Sequence, residues 1–471
     1  VGGGGRIVDA EGRQVLLRGV NVNALAEYWQ GGEYPTVFPL SADDADQMRA
    51  LGWSTVRLLL SWSRVEPAPG AYDAVYLDDV RAAVRLLASR GLYSIIDLHQ
   101  DAFSATLAAP AELSCTPPAV AALGWDGAPG WATLDEGASR CVPLGVRELS
   151  PAVMKSWENF FLDAPGPGGV GIRTRYVAML AHVAGALGAA PGVAGYDLMN
   201  EPGAFAVAQQ TSLSAMYGEA VAAIRAAERA AGSPPRLILF EPSALWSLTG
   251  RGAPPAFAHD DGVVYAPHLY TGGFNGGPIT AAAFEVAREE AKGFGGAPVL
   301  TGEWGADPRR ASDPEDPYFL EHQRLQDELV FGATLWTWRE SCGDPHKQAD
   351  YRAGNIPYVW GEFEVDCSSN TITGARTDLL AQLARGYLRA APGQLIASRW
   401  NPATGQLTAS GEAAEAGTEL LAFYPLTDRP FSVSAAGLDD VQVHHSSTAS
   451  VHITARARSG AWAIEVVAGD P

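Results

Sequence analysis

Two stretches of the sequence end in a glutamate directly after an apolar run. Val193 to Met199 is followed by Asn200, Glu201 and a proline, and Ala297 to Gly302 is followed by Glu303. Each run predicts a buried strand, which the proline ends in the first case. A turn or a helix cap would also account for Asn-Glu-Pro taken alone. Two carboxyl groups brought together at two strand ends are nevertheless what hydrolysis of a glycosidic bond requires.

The two glutamates are expected to play different roles. We expect Glu201 to be the general acid/base, kept protonated near neutral pH by a second carboxylate nearby, and Glu303 to be the nucleophile. A nucleophilic carboxylate must stay ionised, and Arg57 and Tyr270 are the candidates to donate hydrogen bonds to it. Asn200 is expected to bind a sugar 2-hydroxyl. In such a retaining mechanism the two carboxyl groups lie about 5–5.5 Å apart.

Polar and aromatic residues also occur where other predicted strands end. His99 and Asp101 follow the third apolar run, and His268 and Tyr270 share one side of a strand by their alternation. Trp336 offers either a flat face for a sugar ring or a large side chain for the core. The candidate substrate-binding residues are Arg57, His99, Asp101, Asn200, His268, Tyr270 and Trp336.

These positions belong to a repeating pattern of strands and helices. Eight strand-then-helix units in residues 1–391 predict an α/β fold, a (β/α)8 TIM barrel with long insertions after the third and eighth strands. In such barrels the chemistry gathers at the C-terminal strand ends, where the candidate residues fall. A hairpin over 6–18 is expected to cover one end of the barrel. Strands are predicted at 15–22, 55–60, 93–98, 193–199, 236–240, 263–270, 297–305 and 332–338, and helices at 41–52, 78–89, 152–162, 171–189, 211–231, 280–293, 315–330 and 376–390.

The pattern of apolar and polar residues changes near Pro392. From there short alternating runs separated by Gly and Asp turns replace the helical period, which predicts a C-terminal β-sandwich domain at 392–471 beside the barrel domain at 1–391. Its strands are expected at 420–424, 442–445, 451–455 and 462–467. The insertion at 102–151 is long enough to suggest a functional role.

Composition and charge exclude several classes of protein. The chain has 33 basic and 53 acidic residues and a net charge of −20, which argues against nucleic acid as a partner. It lacks an apolar run long enough for a transmembrane segment. A monomer without metal or cofactor is expected. No signal peptide is recognisable, so Val1 and the glycines at 2–5 are interpreted as a processed or trimmed start.

The four cysteines form two local pairs in segments rich in Gly, Pro and Asp. There is no C-x-x-C motif and no accompanying histidine cluster, so zinc binding is not expected. Two loop disulfides fit best, and they indicate an oxidising, extracellular setting and a secreted protein. The expected pairs are Cys115–Cys141 and Cys342–Cys367.

Several motifs taken together resemble those of glycoside hydrolase family 5, and within it those of the endoglycoceramidases. The similarity extends over the barrel and the sandwich. It implies hydrolysis, with retention, of the bond between an oligosaccharide and ceramide in glycosphingolipids presented in micelles or at a membrane surface. The motifs are YDLMNEP at 196–202, DLHQD at 97–101, PHLY at 267–270, GEWG at 302–305 and VEPAPGAYD at 65–73.

Other functions are compatible with parts of the pattern. The eighth-strand loop that begins at Cys342 is longer than the resemblance leads us to expect, so an enzyme restricted to galactosylceramide-headed glycolipids is an alternative to a broad one. A polysaccharide-cleaving family 5 endoglucanase or mannanase would need a long open cleft with exposed tryptophans. A non-catalytic carbohydrate- or lipid-binding protein would need one glutamate misplaced. A lipid substrate requires an apolar groove, for which 102–108 and 157–162 are candidate walls or simply packed segments.

Overall fold

Eight parallel strands form a barrel, in the order that the sequence predicts. The computed structural model of the chain describes residues 5–28, 32–347, 358–426 and 429–469, so residues 1–4 of the expected trimmed start at 1–5 lie outside them. The barrel strands are β1 Arg18–Leu25, β2 Thr55–Ser61, β3 Tyr93–His99, β4 Val193–Asp197, β5 Leu237–Phe240, β6 Val263–Tyr265, β7 Leu300–Trp304 and β8 Gly332–Leu335. Neighbours in the chain pair from β1 to β6 and from β7 to β8, and β8 pairs with β1. Parallel bridges Tyr265–Val299 and Leu269–Trp304 close the barrel between β6 and β7.

Helices cover the outside of the barrel. The first is fixed by a capping box, in which the Ser41 hydroxyl accepts from the backbone of Asp44 and the Asp44 carboxylate accepts from the backbone of Ser41. Asp73 caps the helix Ala74–Ala88 by accepting from the backbone N–H groups of Val75 and Tyr76. The helices are Ala42–Ala50, Trp62–Val65, Ala74–Ala88, Pro151–Phe161, Ile172–Leu187, Val207–Ala231, Trp246–Thr249, Ala281–Ala291, Tyr318–Leu329 and Thr377–Leu383.

The N-terminal segment covers the bottom of the barrel. Val8 bridges to Gln14 in an antiparallel turn, and Ile7 packs among buried residues at the N-terminal half of the strands, such as Ile95 and Leu300. The first barrel strand begins at Arg18 rather than at 15, because Gln14 and Val15 pair with the sandwich instead.

The last predicted helix is wrong in its second half. The helix ends at Leu383, and Tyr387–Ala391 is a strand that pairs with Glu419–Pro425 of the C-terminal sheet. An Ala-rich segment has a good intrinsic helix propensity, but strand pairing and burial decide its conformation here. The change of direction occurs near Gly386, where a side chain would collide with the ring of Trp400.

The C-terminal strands form two packed antiparallel sheets, as predicted. The core between them includes Leu388, Phe423, Ile453, Trp462 and Val466. One sheet contains, in order, Gln14–Val15, Tyr387–Ala391, Glu419–Pro425, Ser450–Ala457 and Leu438–Ser447; the other contains Gln394–Asn401, Gln406–Ala413, Gly460–Ala468 and Phe431–Ala436. The first sheet thus includes residues from both sides of the predicted boundary at 391/392.

The sandwich contacts the barrel closely at Gly52, which ends the first barrel helix. The Tyr387 hydroxyl donates to the Gly52 carbonyl at 2.8 Å. Gly52 has φ +86°, and a Cβ there would lie 2.3 Å from the ring of Phe423. The position therefore requires glycine for its backbone conformation and for the approach of the sandwich.

We expect Gly52→Ala to lower the free energy of unfolding by about 2–4 kcal/mol, because it combines a left-handed backbone with a clash against a packed ring. Gly91→Ala is the matched control, since Gly91 has φ +73° and open space around its Cα. Gly91→Ala should lower the free energy of unfolding by about 1 kcal/mol, which is the contribution of the backbone conformation alone. Denaturant unfolding of both variants measures the difference, and equal losses would show that the domain contact is unimportant.

Candidate active site

Arg57 lies at the centre of the barrel, completely buried. Its Nε donates to Asp197 at 2.9 Å, and Nη1 donates to Glu303 at 2.8 Å and to Asn21 at 3.0 Å. Nη2 donates to Glu241 at 2.8 Å and to Asn200 at 3.0 Å. All its N–H groups are directed at protein acceptors. Arg57 therefore positions the carboxylates, as expected for support of the nucleophile, and has no donor left for substrate.

Glu303 stands at the end of β7 with two different donors on its two oxygens. Arg57 donates to Oε1 at 2.8 Å, and the Tyr270 hydroxyl donates to Oε2 at 2.9 Å. Both predicted partners are thus in contact with the glutamate. Burial raises the pKa of Glu303 above its ordinary value, although the charges of His268 and Arg57 oppose this effect. Fixed donors on both oxygens leave the carboxylate a single orientation toward the cleft.

Glu201 follows β4 and is more exposed than Glu303. Its backbone adopts φ +37°, a region that non-glycine residues rarely occupy. The backbone N–H donates to Glu241 at 2.8 Å, and Gln100 donates to the Glu201 carbonyl at 2.8 Å. These two bonds hold the strained conformation. The side chain accepts hydrogen bonds from Ser247 and from His268, so its carboxyl group is held at the rim of the cleft.

His268 lies between the two glutamates. Its Nδ1 is 2.9 Å from Glu201 Oε1 and 3.4 Å from Glu303 Oε2, and its Nε2 is 3.0 Å from Glu241 Oε1. Burial acts to lower the pKa of His268, but Glu241 and Glu303 outweigh it and raise that pKa well above its ordinary value. The surrounding carboxylates therefore favour the protonated form of His268.

The pKa of Glu201 differs from the sequence-based expectation. Burial acts to raise it, but the bond to the cationic His268 outweighs burial and lowers the pKa below its ordinary value. We expected a neighbouring carboxylate to keep Glu201 protonated. His268 lies between Glu201 and Glu303, and its hydrogen bond to Glu201 favours the ionised form of Glu201.

Glu241, at the end of β5, is the most important residue that the sequence analysis did not select. It is buried and bonds Arg57, His268 and the backbone of Glu201. The signal was present, because Glu241 is followed by a proline after an apolar run, as Glu201 is. Asp97 and Asp197 were also missed. They lie inside β3 and β4 and surround Arg57.

His99 and Trp336 form a stacked pair in the cleft. Their rings are 5.6 Å apart between centroids and nearly parallel. His99 Nδ1 is 2.8 Å from Asp97, and Nε2 is 3.5 Å from Asp101. Burial acts to lower the pKa of His99, but the two aspartates raise it to about 10. Asn200, the remaining candidate, accepts from Arg57 and donates to the Gln100 carbonyl at 3.0 Å.

The two long insertions meet above this pair. Arg147 from the first insertion donates to Asp101 at 2.7 Å and contacts His346 from the second at 2.9 Å. Its guanidinium lies 4.3 Å from the ring centre of Trp125. Each insertion is cross-linked by its predicted disulfide, and the structure contains both of them: Cys115–Cys141 and Cys342–Cys367. No periodic sequence signal marked Arg147 or His346.

Among the described residues, three groups of side chains have donor atoms close enough for a metal ion, and each already includes or contacts a protein cation. Arg57 lies within one, His268 belongs to another, and Lys347 pairs with Glu340 at 3.1 Å in the third. A metal would have to displace that cation, so the residues do not fit one well, and the expectation of a metal-free site stays a prediction. The groups are Asp97, Asp197 and Glu241; Glu201, His268 and Glu303; Glu340, Asp344 and His346.

Comparison with known proteins places this site in a family. The family model described as Cellulase (glycosyl hydrolase family 5) matches residues 8–341. The chain belongs to glycosyl hydrolase family 5. Within this family it is similar to Endoglycoceramidase I of Rhodococcus hoagii, with 29% identity over 290 residues that cover 57% of this chain and 52% of the relative. The chain therefore matches about half the length of that curated relative.

Solved structures of family 5 relatives extend the likeness over the whole chain. A crystal structure of endogalactoceramidase superposes with a TM-score of 0.87 at 35% identity and covers 98% of both chains. The lactosyl-enzyme intermediate of endo-glycoceramidase II from Rhodococcus sp. superposes with a TM-score of 0.76 at 25% identity, covering 99% of this chain and 100% of that one. The likeness includes the C-terminal sandwich as well as the barrel.

The imidazolium of His99 should make stability depend on pH. A folded-state pKa of about 10 means that its contribution is complete below about pH 6.5, the unfolded value, and is lost as the pH rises through about 10. We expect the difference in the free energy of unfolding between wild type and His99→Gln to be about 3–5 kcal/mol larger at pH 6 than at pH 10.5, in favour of wild type. Thermal unfolding from pH 6 to 10.5 measures this, with the exposed His259→Gln as control. A difference that stays constant with pH would mean that His99 is neutral.

Proposed function

We propose that this chain is a retaining endo-β-glycosidase that hydrolyses the bond between oligosaccharide and ceramide in glycosphingolipids. The observation that carries the proposal is the arrangement of Glu201 and Glu303 across His268, with oxygen atoms within 4.8 Å of each other. Retaining glycosidases place their carboxyl groups about 5–5.5 Å apart, whereas inverting enzymes need room for a water molecule between them. The likeness to endoglycoceramidase and endogalactoceramidase structures supports the glycolipid as substrate.

In this proposal Glu303 attacks the anomeric carbon. The bond from that carbon to the ceramide oxygen breaks as Glu201 gives its proton to the leaving oxygen, which releases ceramide with a free hydroxyl. Glu201 then takes a proton from water, which attacks the same carbon and frees the oligosaccharide with its configuration retained. Asn200 would bind the sugar 2-hydroxyl, and Trp336 would stack on the sugar.

His268 is placed to supply Glu201 with the proton for the first step. Its Nδ1 is 2.9 Å from Glu201 Oε1, so a proton shared along this bond can pass to Glu201 as the leaving oxygen approaches. Once Glu303 is esterified, it no longer carries the negative charge that raises the pKa of His268. The site is then less negative, which favours Glu201 as a base in the second step.

Exposed apolar side chains lie close in sequence to the proposed general acid and to its hydrogen-bond partner Ser247. Ser247 donates to Glu201, and its neighbours Leu245 and Leu248 are 44% and 68% exposed. Val207, six residues after Glu201, is 85% exposed. Because a general acid must stand beside the leaving oxygen, these residues lie where a lipid aglycone would leave. The groove walls suggested by the sequence contribute less, since Phe103 and Trp157 are buried and pack edge to face.

Two candidates are compatible with the proposal for the sugar that is attached to ceramide. The endogalactoceramidase structure matches this chain at 35% identity, which favours an enzyme for galactosylceramide-headed glycolipids as the second candidate. The two disulfides support an extracellular site of action. Micelles or a membrane surface would present the substrate to a monomer. None of the helices in the described part of the chain is long and apolar enough to cross a membrane.

Glu303→Gln and Glu201→Gln should each lower kcat/KM on glycolipid by roughly 10³-fold or more, since each removes a group that acts in the transition state. Glu201→Gln should still form the glycosyl-enzyme rapidly from a dinitrophenyl glycoside, whose leaving group needs no acid. Glu303→Gln should not. Burst kinetics separate the two roles, and the exposed Glu328→Gln is the control.

The same assay identifies the substrate when the panel holds a glucosylceramide-headed ganglioside, a galactosylceramide-headed glycolipid and a soluble glucan. Release of ceramide and intact oligosaccharide is the expected result, and the preferred head group distinguishes the two candidates. Cleavage of the glucan alone would contradict a glycolipid substrate.

Leu248→Ser should lower kcat/KM roughly tenfold on micellar glycolipid and leave hydrolysis of a soluble aryl lactoside unchanged, because it removes apolar contact with the aglycone alone. Ile396→Ser is a matched control, because Ile396 is 60% exposed on the sandwich. Equal losses on the lipid and the soluble substrate would argue against a lipid contact at Leu248.

A further inference from the structure

Two arginines share one aspartate below the barrel, at its junction with the sandwich. Arg18, Arg385 and Asp327 are 3%, 7% and 4% exposed. Arg18 Nη2 lies 2.7 Å and Arg385 Nη1 3.0 Å from the same oxygen of Asp327. In the described part of the chain, Asp327 is the one carboxylate at ion-pair distance from either guanidinium. Two buried cations and one anion leave an excess positive charge.

The surroundings do not neutralise this charge. Arg385 Nη2 donates to the side-chain carbonyl of Gln326, whose amide donates to Nδ1 of His322 at 2.8 Å. His322 Nε2 contacts the Leu269 carbonyl at 3.2 Å, so the imidazole is neutral. Burial and the charge of Arg18 lower the pKa of Arg385 to about 9, with Asp327 opposing them. Apart from Arg18, Arg385 and Asp327, the neighbouring groups named here are therefore uncharged.

Arg18 also has donors that no described protein group satisfies. Its Nε and Nη1 are buried without a hydrogen-bond acceptor in the described structure. The guanidinium lies 5.0 Å from the ring centre of Tyr387, which cannot accept these N–H groups in their own plane. A buried donor left unsatisfied costs about 1–3 kcal/mol, and more when it is charged. These donors require an acceptor from outside the chain.

A small cavity lies beside the unsatisfied donors. It has a volume of about 20 Å³, and both arginines line it together with Trp53, Trp304 and Gln323. A cavity of about 10–15 Å³ already holds one water-sized sphere. There is room for a single small ion or water molecule and none for a tetrahedral oxyanion such as sulfate.

We propose that this cavity binds one halide ion, chloride in the natural setting. A monatomic anion accepts from one of the two unsatisfied Arg18 donors, Nε or Nη1, which point in different directions, and balances the charge that Asp327 leaves over. A water molecule would satisfy the donors but would leave the buried positive charge in place, which is costly in a medium of low dielectric constant.

The halide links the two domains. Arg18 is the first residue of β1, Asp327 belongs to the helix Tyr318–Leu329, and Arg385 leads into the sandwich strand Tyr387–Ala391. The ion would bind at the N-terminal end of the barrel, opposite the glutamates, where TIM barrels place stabilising rather than catalytic residues. It would stabilise the docking of the sandwich and take no part in catalysis.

Crystals of the whole chain grown in sodium bromide test the proposal directly. The expected result is an anomalous difference peak in the cavity between Arg18 and Arg385. In solution, the unfolding temperature should be about 3 °C or more higher in sodium chloride or bromide than in sodium gluconate at equal ionic strength. Sulfate should give no such specific shift. A cavity without an anomalous peak would overturn the proposal and identify the occupant as water.

Arg385→Gln and Arg18→Gln provide a second test. Each substitution removes the excess charge and should abolish the difference in unfolding temperature between chloride and gluconate. The unfolding temperature of the variant should therefore be closer to that of wild type in gluconate than in chloride. Loss of stability by the same amount in both salts would show only a broken ion pair and would overturn the proposal. Arg324→Gln is the control, because Arg324 is 52% exposed and pairs with surface glutamates. It should keep the full halide dependence. Should either variant fail to fold, the bromide crystals of wild type still decide the question.

Discussion

The burial of one guanidinium at the centre of the barrel is the constraint on which the site depends. Arg57 is completely enclosed, and four carboxylates converge on it: Asp97, Asp197, Glu241 and Glu303. Removing water from such a group costs several kcal/mol per ion, which only close and complete pairing offsets. The apolar layers of the barrel must therefore supply the stability, while the ions fix geometry. The planar fork of arginine holds several acceptors at once, which lysine cannot do.

Four carboxylates face one guanidinium in this cluster, and the excess of acidic groups raises the pKa of His268 above its ordinary value. The pKa of Asp197 is raised as well, first by burial and then by neighbouring carboxylates. Glu241 connects the two halves, because it bonds Arg57 and His268 through one oxygen and the backbone of Glu201 through the other. A single carboxylate thus aligns the support of Glu303 with the position of Glu201. The strained backbone of Glu201 is tolerated because these bonds over-determine it.

Most of the barrel could be predicted because its strands are apolar on both faces and end abruptly in polar residues. The same contrast revealed Glu201 and Glu303, and Arg57 was found as a charged residue inside an apolar run. Glu241 carried this signal too but lacked a chemical role until its three contacts were known. Arg147 and His346 could not be found, since they come from non-periodic insertions that tertiary contacts and disulfides arrange. The strand after Leu383 was missed because its conformation depends on a partner strand about thirty residues later.

The surroundings of the two glutamates differ in a way that bears on the substrate. The stacked rings of His99 and Trp336 lie near Asp101, to which Arg147 of a cross-linked loop donates. Trp336 also packs against an apolar cluster that contains Ala26 and Leu59. Leu245 and Leu248, the sequence neighbours of the Ser247 that donates to Glu201, are aliphatic and exposed. A polysaccharide presents hydroxyls on both sides of the bond that is cut, and an enzyme for it would gain nothing from exposed leucines next to its acid. An amphiphile presents sugar on one side and hydrocarbon on the other. In the proposed reaction the hydrocarbon would lie on the side of Leu245 and Leu248, where the leaving group departs.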